Sequence, residues 1–247
     1  MILPEVDARE SNRERVLAES ARRLTELARW GDDDTERRPA QPRRNEFGFT
    51  EGDRFRWSVE DRMRREKTGA FLWRIDGMAP NGELIVNDGA VRLTPQGQQV
   101  YGKGAQPGRW TEWKQPLQIL APGLALGVKR DLQGLLLQPG PEGKVLETRY
   151  SGTLEVTKSE RVTVPAGEFD ALRVQIEAKG YRRTLAGDPL NLMVRMTMWF
   201  APALGMWVAS ERDEWSNGRI DVRLREELTA YDVAGSALRM AELTTGR

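Results

Sequence analysis

The chain of 247 residues contains no cysteine and no histidine. Without cysteine there is no disulfide framework, no thiolate nucleophile and no cysteine-held zinc or iron-sulfur site. Without histidine the commonest general base, the commonest transition-metal ligand and the easiest switch near neutral pH are all missing. No cofactor and no metal site is therefore expected. Charge of one sign is lacking too: 38 basic residues face 37 acidic ones, so nothing steers the whole chain toward nucleic acid or an anionic surface. There is no run of about 18 apolar residues, so no transmembrane helix is encoded. The opening residues Met1, Ile2, Leu3, Pro4 and Glu5 do not read as a signal peptide, because no basic segment and long apolar region follow.

What is present is alternation. Residues 5–30 first carry a helical pattern, with Val16, Leu17, Leu24, Leu27 and Ala28 on a narrow stripe. Ser11 and Glu14 form a possible capping box there, and Gly31 suits the position after the last turn. This helix, spanning 1–31, can dock on its own domain or reach a protein partner through residues 5–30. The next segment, 32–46 (DDDTERRPAQPRRNE), mixes charges with two prolines and has no apolar anchor, as expected of a linker.

From residue 47 the period changes to two, and the pattern holds to about residue 231. Phe55, Trp57, Val59 and Met63 share one face, with Arg54, Arg56, Ser58 and Glu60 on the other. Phe71, Trp73 and Ile75 repeat the pattern. Later runs place Tyr150, Gly152, Leu154 and Val156, then Leu172, Val174, Ile176 and Ala178, then Val194, Met196, Met198 and Phe200 on dry faces. Asn81-Gly82, Asp88-Gly89 and above all Asn217-Gly218 are hairpin signals, and Pro165-Ala166-Gly167 is a turn. Residues 95–130 are less regular and carry Tyr101, Trp110 and Trp113, which reads as a functional loop or lid. Residues 232–247 read as a C-terminal tail.

Roughly ten strands in hairpin order, each polar on one face, predict a mainly β domain. It is a large curved antiparallel sheet in meander order, a half-barrel or open barrel, with an N-terminal helix. The large or pliable side chains Trp57, Trp73, Met196, Met198 and Phe200 are the candidate ligand-binding residues, suited to an apolar groove as well as to a plain core. The carboxylate pairs Asp213/Glu214 and Glu226/Glu227 do not read as catalytic couples, because neighbours on a strand point to opposite faces. No nucleophile elbow, phosphate loop or metal-ligand cluster is found, so no enzyme activity is expected. Nucleic-acid binding is not expected either, since Asp53, Glu60, Asp61 and Glu66 interrupt the basic run from Arg54 to Lys67.

The strings VTVPAGEFDALRV, MTMWFAPALGMWVASE, EELTAY and EGDRFRWSVEDR together resemble a set of bacterial exported proteins with curved antiparallel sheets. These are related in architecture to the lipoprotein carriers of the LolA/LolB type. The resemblance covers about residues 47–231 and implies an apolar concavity, a periplasmic or envelope setting, and a lipid, acyl chain or other apolar small molecule as ligand. A structural or protein-interaction domain is the alternative reading.

Overall fold

The computed structural model describes residues 49–104, 108–120, 123–140, 143–184 and 187–233. The helix expected over residues 5–30, the linker over 32–46 and nearly all of the expected tail lie outside the described residues. Twelve strands follow one another: β1 (Arg54–Asp61), β2 (Glu66–Met78), β3 (Leu84–Val86), β4 (Val91–Leu93), β5 (Gln99–Lys103), β6 (Trp110–Gln115), β7 (Lys129–Pro139), β8 (Val145–Val164), β9 (Gly167–Arg183), β10 (Pro189–Ala201), β11 (Met206–Ser216) and β12 (Arg219–Asp232). Each pairs antiparallel with its sequence neighbours, and β12 pairs with β1 from Arg54↔Asp232 to Asp61↔Leu224.

That last pairing corrects the expectation of a half-barrel or open barrel: the sheet is a closed twelve-stranded barrel, and no helix belongs to it among the described residues. Closure satisfies the backbone groups that an open sheet would leave along its two edges. The segment 95–130 is also more regular than its composition predicts. It contributes β5, β6 and the start of β7, three members of the wall, where a loop or lid was expected.

The turns follow from residue chemistry. Asn217 and Gly218 both have positive φ, 48° and 80°, which a two-residue type I′ hairpin requires and which Asn-Gly supplies at low cost. Bulges adjust the wall where the barrel bends, at Arg56/Trp57 against β12 and at Trp199/Phe200 against β11. The second of these turns Trp207 to the inside, opposite Phe200.

The interior holds two apolar clusters. One is built on Phe49, Phe55, Trp57, Trp73, Ile75, Leu93, Met206 and Leu228. The other joins Leu117, Leu132, Leu154, Val156, Val174, Ile176 and Met198. The β8–β9 hairpin is much longer than its neighbours, 20 and 17 residues, and its tip bends onto β10 and β12. Ala166 N–H donates to the Leu228 carbonyl at 3.0 Å, and Trp199 Nε1 donates to Glu160 Oε1 at 2.9 Å.

The outward faces carry charge along the middle of the strands. Lys129 pairs with Glu155, Arg195 with Glu177, Arg223 with Asp213, and Glu211 with both Arg62 and Arg225. A barrel that spans a bilayer needs an outward apolar band about 25 Å tall. This barrel carries ion pairs along the middle of its outer face instead, and its two apolar clusters lie within. Among the described residues no helix is long and apolar enough to cross a membrane.

Candidate functional site

Pairing register decides which side chains enter the barrel, because residues opposite one another on antiparallel strands share a face. One row runs Leu154, Ile176, Met196, Arg212, Leu224 and Asp61. The next toward the end of the barrel formed by the β9–β10 and β11–β12 turns runs Gly152, Ala178, Val194, Glu214 and Val222, and the one after it runs Gly134, Tyr150, Gly180, Leu192 and Ser216. On the other side of the Arg212 row lie Met198, Ser210, Glu226 and Val59.

All five residues singled out in the sequence face inward. Trp57 and Trp73 touch, ring centroids 5.2 Å apart, inside the first cluster. Met198 belongs to the second cluster, with Met196 and Phe200 packed against it. The structure thus divides the set between two neighbouring clusters, with Trp207 packed against both. Sequence reasoning left Trp207 out, although its rings stack on Trp57 at 5.5 Å and meet Trp73 edge-on at 4.9 Å. With Phe55 and Phe71, also stacked on Trp57, they make an aromatic floor. Among the described residues the indole N–H groups of Trp57 and Trp207, and the hydroxyl of fully buried Thr148, have no hydrogen-bond partner. Buried donors are nearly always paired, so each marks a place where an acceptor belongs.

The interior is not filled throughout. Leu192, Val194, Met196, Val222 and Leu224 point inward from β10 and β12 yet are only half-buried. Arg212 is enclosed by the wall, but its side chain keeps 40% of its accessible surface, and Glu214 keeps 37%. Inward groups with that much free surface line a space. Twelve strands enclose more volume than the eight whose interior side chains just fill it.

One side of this lumen is polar, and the sequence reading missed it. Ser210, Arg212 and Glu214 alternate inward along β11, joined by Glu226 of β12. Arg212 Nε lies 3.2 Å from Glu214 Oε1, and Ser210 Oγ donates to Glu226 Oε2 at 2.9 Å. Glu214 holds the Arg212 guanidinium above its ordinary pKa against the opposing effect of burial, with help from Glu226 and Tyr150. Its two terminal nitrogens have no protein partner among the described residues. The available signal was the run MWVASERDEW, where apolar alternation stops after Val208 and both faces turn polar.

Tyr150 stands on the neighbouring inner row. A Cβ on Gly180 would lie 2.6 Å from the Tyr150 ring, so the bare glycine lets that ring lie across β9 toward the polar wall. Burial pushes the phenol pKa up to about 12, and Glu214 adds to the rise while Arg182 and Arg212 oppose it. Tyr150 therefore stays a neutral donor with both guanidiniums in electrostatic reach. Arg182 follows Gly180 on the same face and donates to Gln138 Oε1 at 3.1 Å.

Two grooves lie on the outer wall over β8–β11. One, of about 370 Å³, is polar, with Glu155, Glu177, Arg195 and Asp213 among its lining. The other, of about 610 Å³, is walled by Tyr181, Met193 and Trp215. Among the described residues no three acidic side chains converge as a metal site would require. The inward carboxylates Glu214 and Glu226 are engaged by Arg212 and Ser210, an arrangement that can position a polar group at the edge of an apolar space.

No family model matches the chain, and no curated protein matches its sequence. Solved structures similar at low identity include the following three. The hypothetical lipoprotein YmcC from Escherichia coli is 13% identical, over 71% of this chain and 83% of that one, with a TM-score of 0.41. A Bacteroides fragilis protein described as exported and of YmcC-like fold is 16% identical, over 74% and 97%, with a TM-score of 0.42. A protein from Parabacteroides distasonis described as a lipoprotein is 15% identical, over 77% and 100%, with a TM-score of 0.39. A likeness at these scores carries no argument about function.

Proposed function

We propose that this barrel is a non-catalytic carrier or binding module that holds a lipid, acyl chain or similar apolar ligand in its lumen, in the bacterial envelope. One observation carries the reading: Leu192, Val194, Met196, Val222 and Leu224 face inward and remain half-exposed. Apolar surface left facing water inside a barrel gains about 25 cal/mol for every Å² that a ligand covers. The neighbouring walls suit the same occupant, since Met196 and Met198 adapt to irregular chains and the aromatic floor offers broad apolar faces. The envelope setting rests on the resemblance of the strand and turn signatures.

The test is native mass spectrometry of protein purified from its own host, combined with titration of a fluorescent fatty acid. The expected result is a bound amphiphile or saturable uptake of the probe. Protein that arrives empty and takes up no probe overturns the reading.

A further inference from the structure

We infer that the ligand carries an anionic head, a carboxylate or a phosphate, seated where Arg212, Arg182 and Tyr150 face the lumen, with its apolar chain running toward the aromatic floor. This rests on the carrier reading and adds the chemistry of the head group.

The argument begins with the Arg212 guanidinium. Its Nε lies 3.2 Å from Glu214 Oε1 as an ion pair, and its two terminal nitrogens have no protein partner among the described residues. A planar fork with two parallel donors matches a carboxylate or phosphate edge, and a charge-assisted pair of that kind is stronger than a neutral hydrogen bond. With 40% of its side-chain surface accessible, the guanidinium can meet an occupant that supplies the acceptor.

Two further groups enter on inner rows nearer the β9–β10 turn, Tyr150 two rows and Arg182 three rows from Arg212. Among the described residues the Tyr150 hydroxyl has no protein partner, and its ring is laid over Gly180 toward β10 and β11. Arg182 stands inward one step beyond Gly180, its one hydrogen bond going to neutral Gln138. On this side of the lumen Arg182, Tyr150, Glu214 and Arg212 occupy successive inner rows, and Arg130 of β7 enters on the Arg212 row beside Leu154. Glu226 lies two rows deeper than Glu214 and accepts from Ser210, and Asp61, on the Arg212 row, is taken up by the β1–β2 turn, where it accepts from the Met63 and Arg64 amides. An anion at the Glu226 row would face a carboxylate, whereas one near Tyr150 faces donors.

The wall beside the polar strip sets the direction of the chain. Met196, Ile176 and Leu154 continue the Arg212 row over β10, β9 and β8, and toward the other end of the barrel stand the stacked Trp57, Phe71 and Trp207. A head bound at Arg212 places a straight tail along that apolar wall. A cationic or zwitterionic head would set its positive end against the two arginines.

The experiment compares dodecanoate, dodecyl phosphate and dodecanol, each below its micelle concentration, by quenching of tryptophan fluorescence at about pH 8, where the fatty acid is ionised. At least one anion is expected to bind about tenfold or more tighter than the alcohol. Which anion wins identifies the head. Arg212→Gln is expected to erase that advantage and leave dodecanol unchanged. Glu214→Gln, which removes a repelling carboxylate and frees the fork, is expected to tighten anion binding, a change that damage to the fold would not produce. Circular dichroism confirms that each variant is folded. Equal binding of all three chains overturns the head-group assignment while the carrier reading stands. Binding of none of them overturns both.

Discussion

Arg212 and Glu214 stand two residues apart on β11, on the same inward face, with Nε and Oε1 3.2 Å apart. The neighbours Asp213 and Glu214, adjacent in sequence, part company: Asp213 turns outward to Arg223 at 3.2 Å while Glu214 enters the barrel. With 40% and 37% of their side chains accessible, the two charges contribute little to stability as a pair.

The phenol of Tyr150 makes stability sensitive to alkali. Its folded pKa, about 12, lies above the ordinary value of about 10, so the folded state binds this proton more tightly than the unfolded chain does. The resulting stability is complete below about pH 10 and is lost as pH rises toward 12. Urea unfolding across that window should show wild type losing stability more steeply than Tyr150→Phe. Parallel slopes would remove the claim.

Gly180 is where the ring of Tyr150 rests. A Cβ there would meet ring carbons at 2.6 and 3.0 Å, so Gly180→Ala should destabilise by roughly 1–3 kcal/mol, the range for overpacking a filled site. Combining it with Tyr150→Ala should cost clearly less than the sum of the two single changes. Additive costs in the double-mutant cycle would mean that the two residues do not share this space.

The aromatic floor should dominate the core. Trp57 is fully buried against Phe55, Phe71, Trp73 and Trp207, and Trp57→Ala should cost about 3–5 kcal/mol in chemical denaturation. Trp57→Phe should cost much less, since the indole N–H it removes has no partner to lose.

Closure can be tested at Ser58. It pairs with Ala70 of β2 on one side and Glu227 of β12 on the other. Proline is confined to edge strands and bulges, so in a closed barrel Ser58→Pro should cost about 3 kcal/mol or more and raise amide exchange in the flanking strands. Tolerance of this change would place β1 at an open edge.

Outside, the ion pairs should matter little one at a time. Arg225 reaches Glu211 at 2.6 Å and Glu227 at 2.7 Å with about a third of each side chain exposed. Arg225→Met should cost no more than about 1 kcal/mol, with the difference from wild type shrinking as salt is added. A loss of several kcal/mol that ignores salt would show that the ladder holds the wall together.

The strands and their faces were legible in the residues because a two-residue period belongs to the chain itself. Phe55, Trp57 and Val59 on β1, and Leu172, Val174, Ile176 and Ala178 on β9, face inward as their alternation predicts. Met63 does not join them: it sits exposed in the turn after β1. The same period explains why the adjacent carboxylates diverge. It was silent on β5 and β6, whose five and six residues are too short and too rich in Gly, Gln and Lys to show a pattern. The polar wall escaped for a related reason, since β11 is polar on both faces beyond Val208 and only its register against Met196 and Met198 shows which residues enter the barrel.

Local sequence therefore determined alternation, turns such as Asn217-Gly218 and an apolar side for each long strand, and it reads as roughly ten strands where the barrel has twelve. Tertiary structure decided that the sheet closes, that a space remains within it, and that Arg212 looks into that space. Closure is a contact between the first strand and the last, such as Thr229 Oγ1 to the Arg56 carbonyl at 3.1 Å across 173 residues. No period in a single stretch encodes such a contact, because it depends on how twist and bulges accumulate around the whole ring.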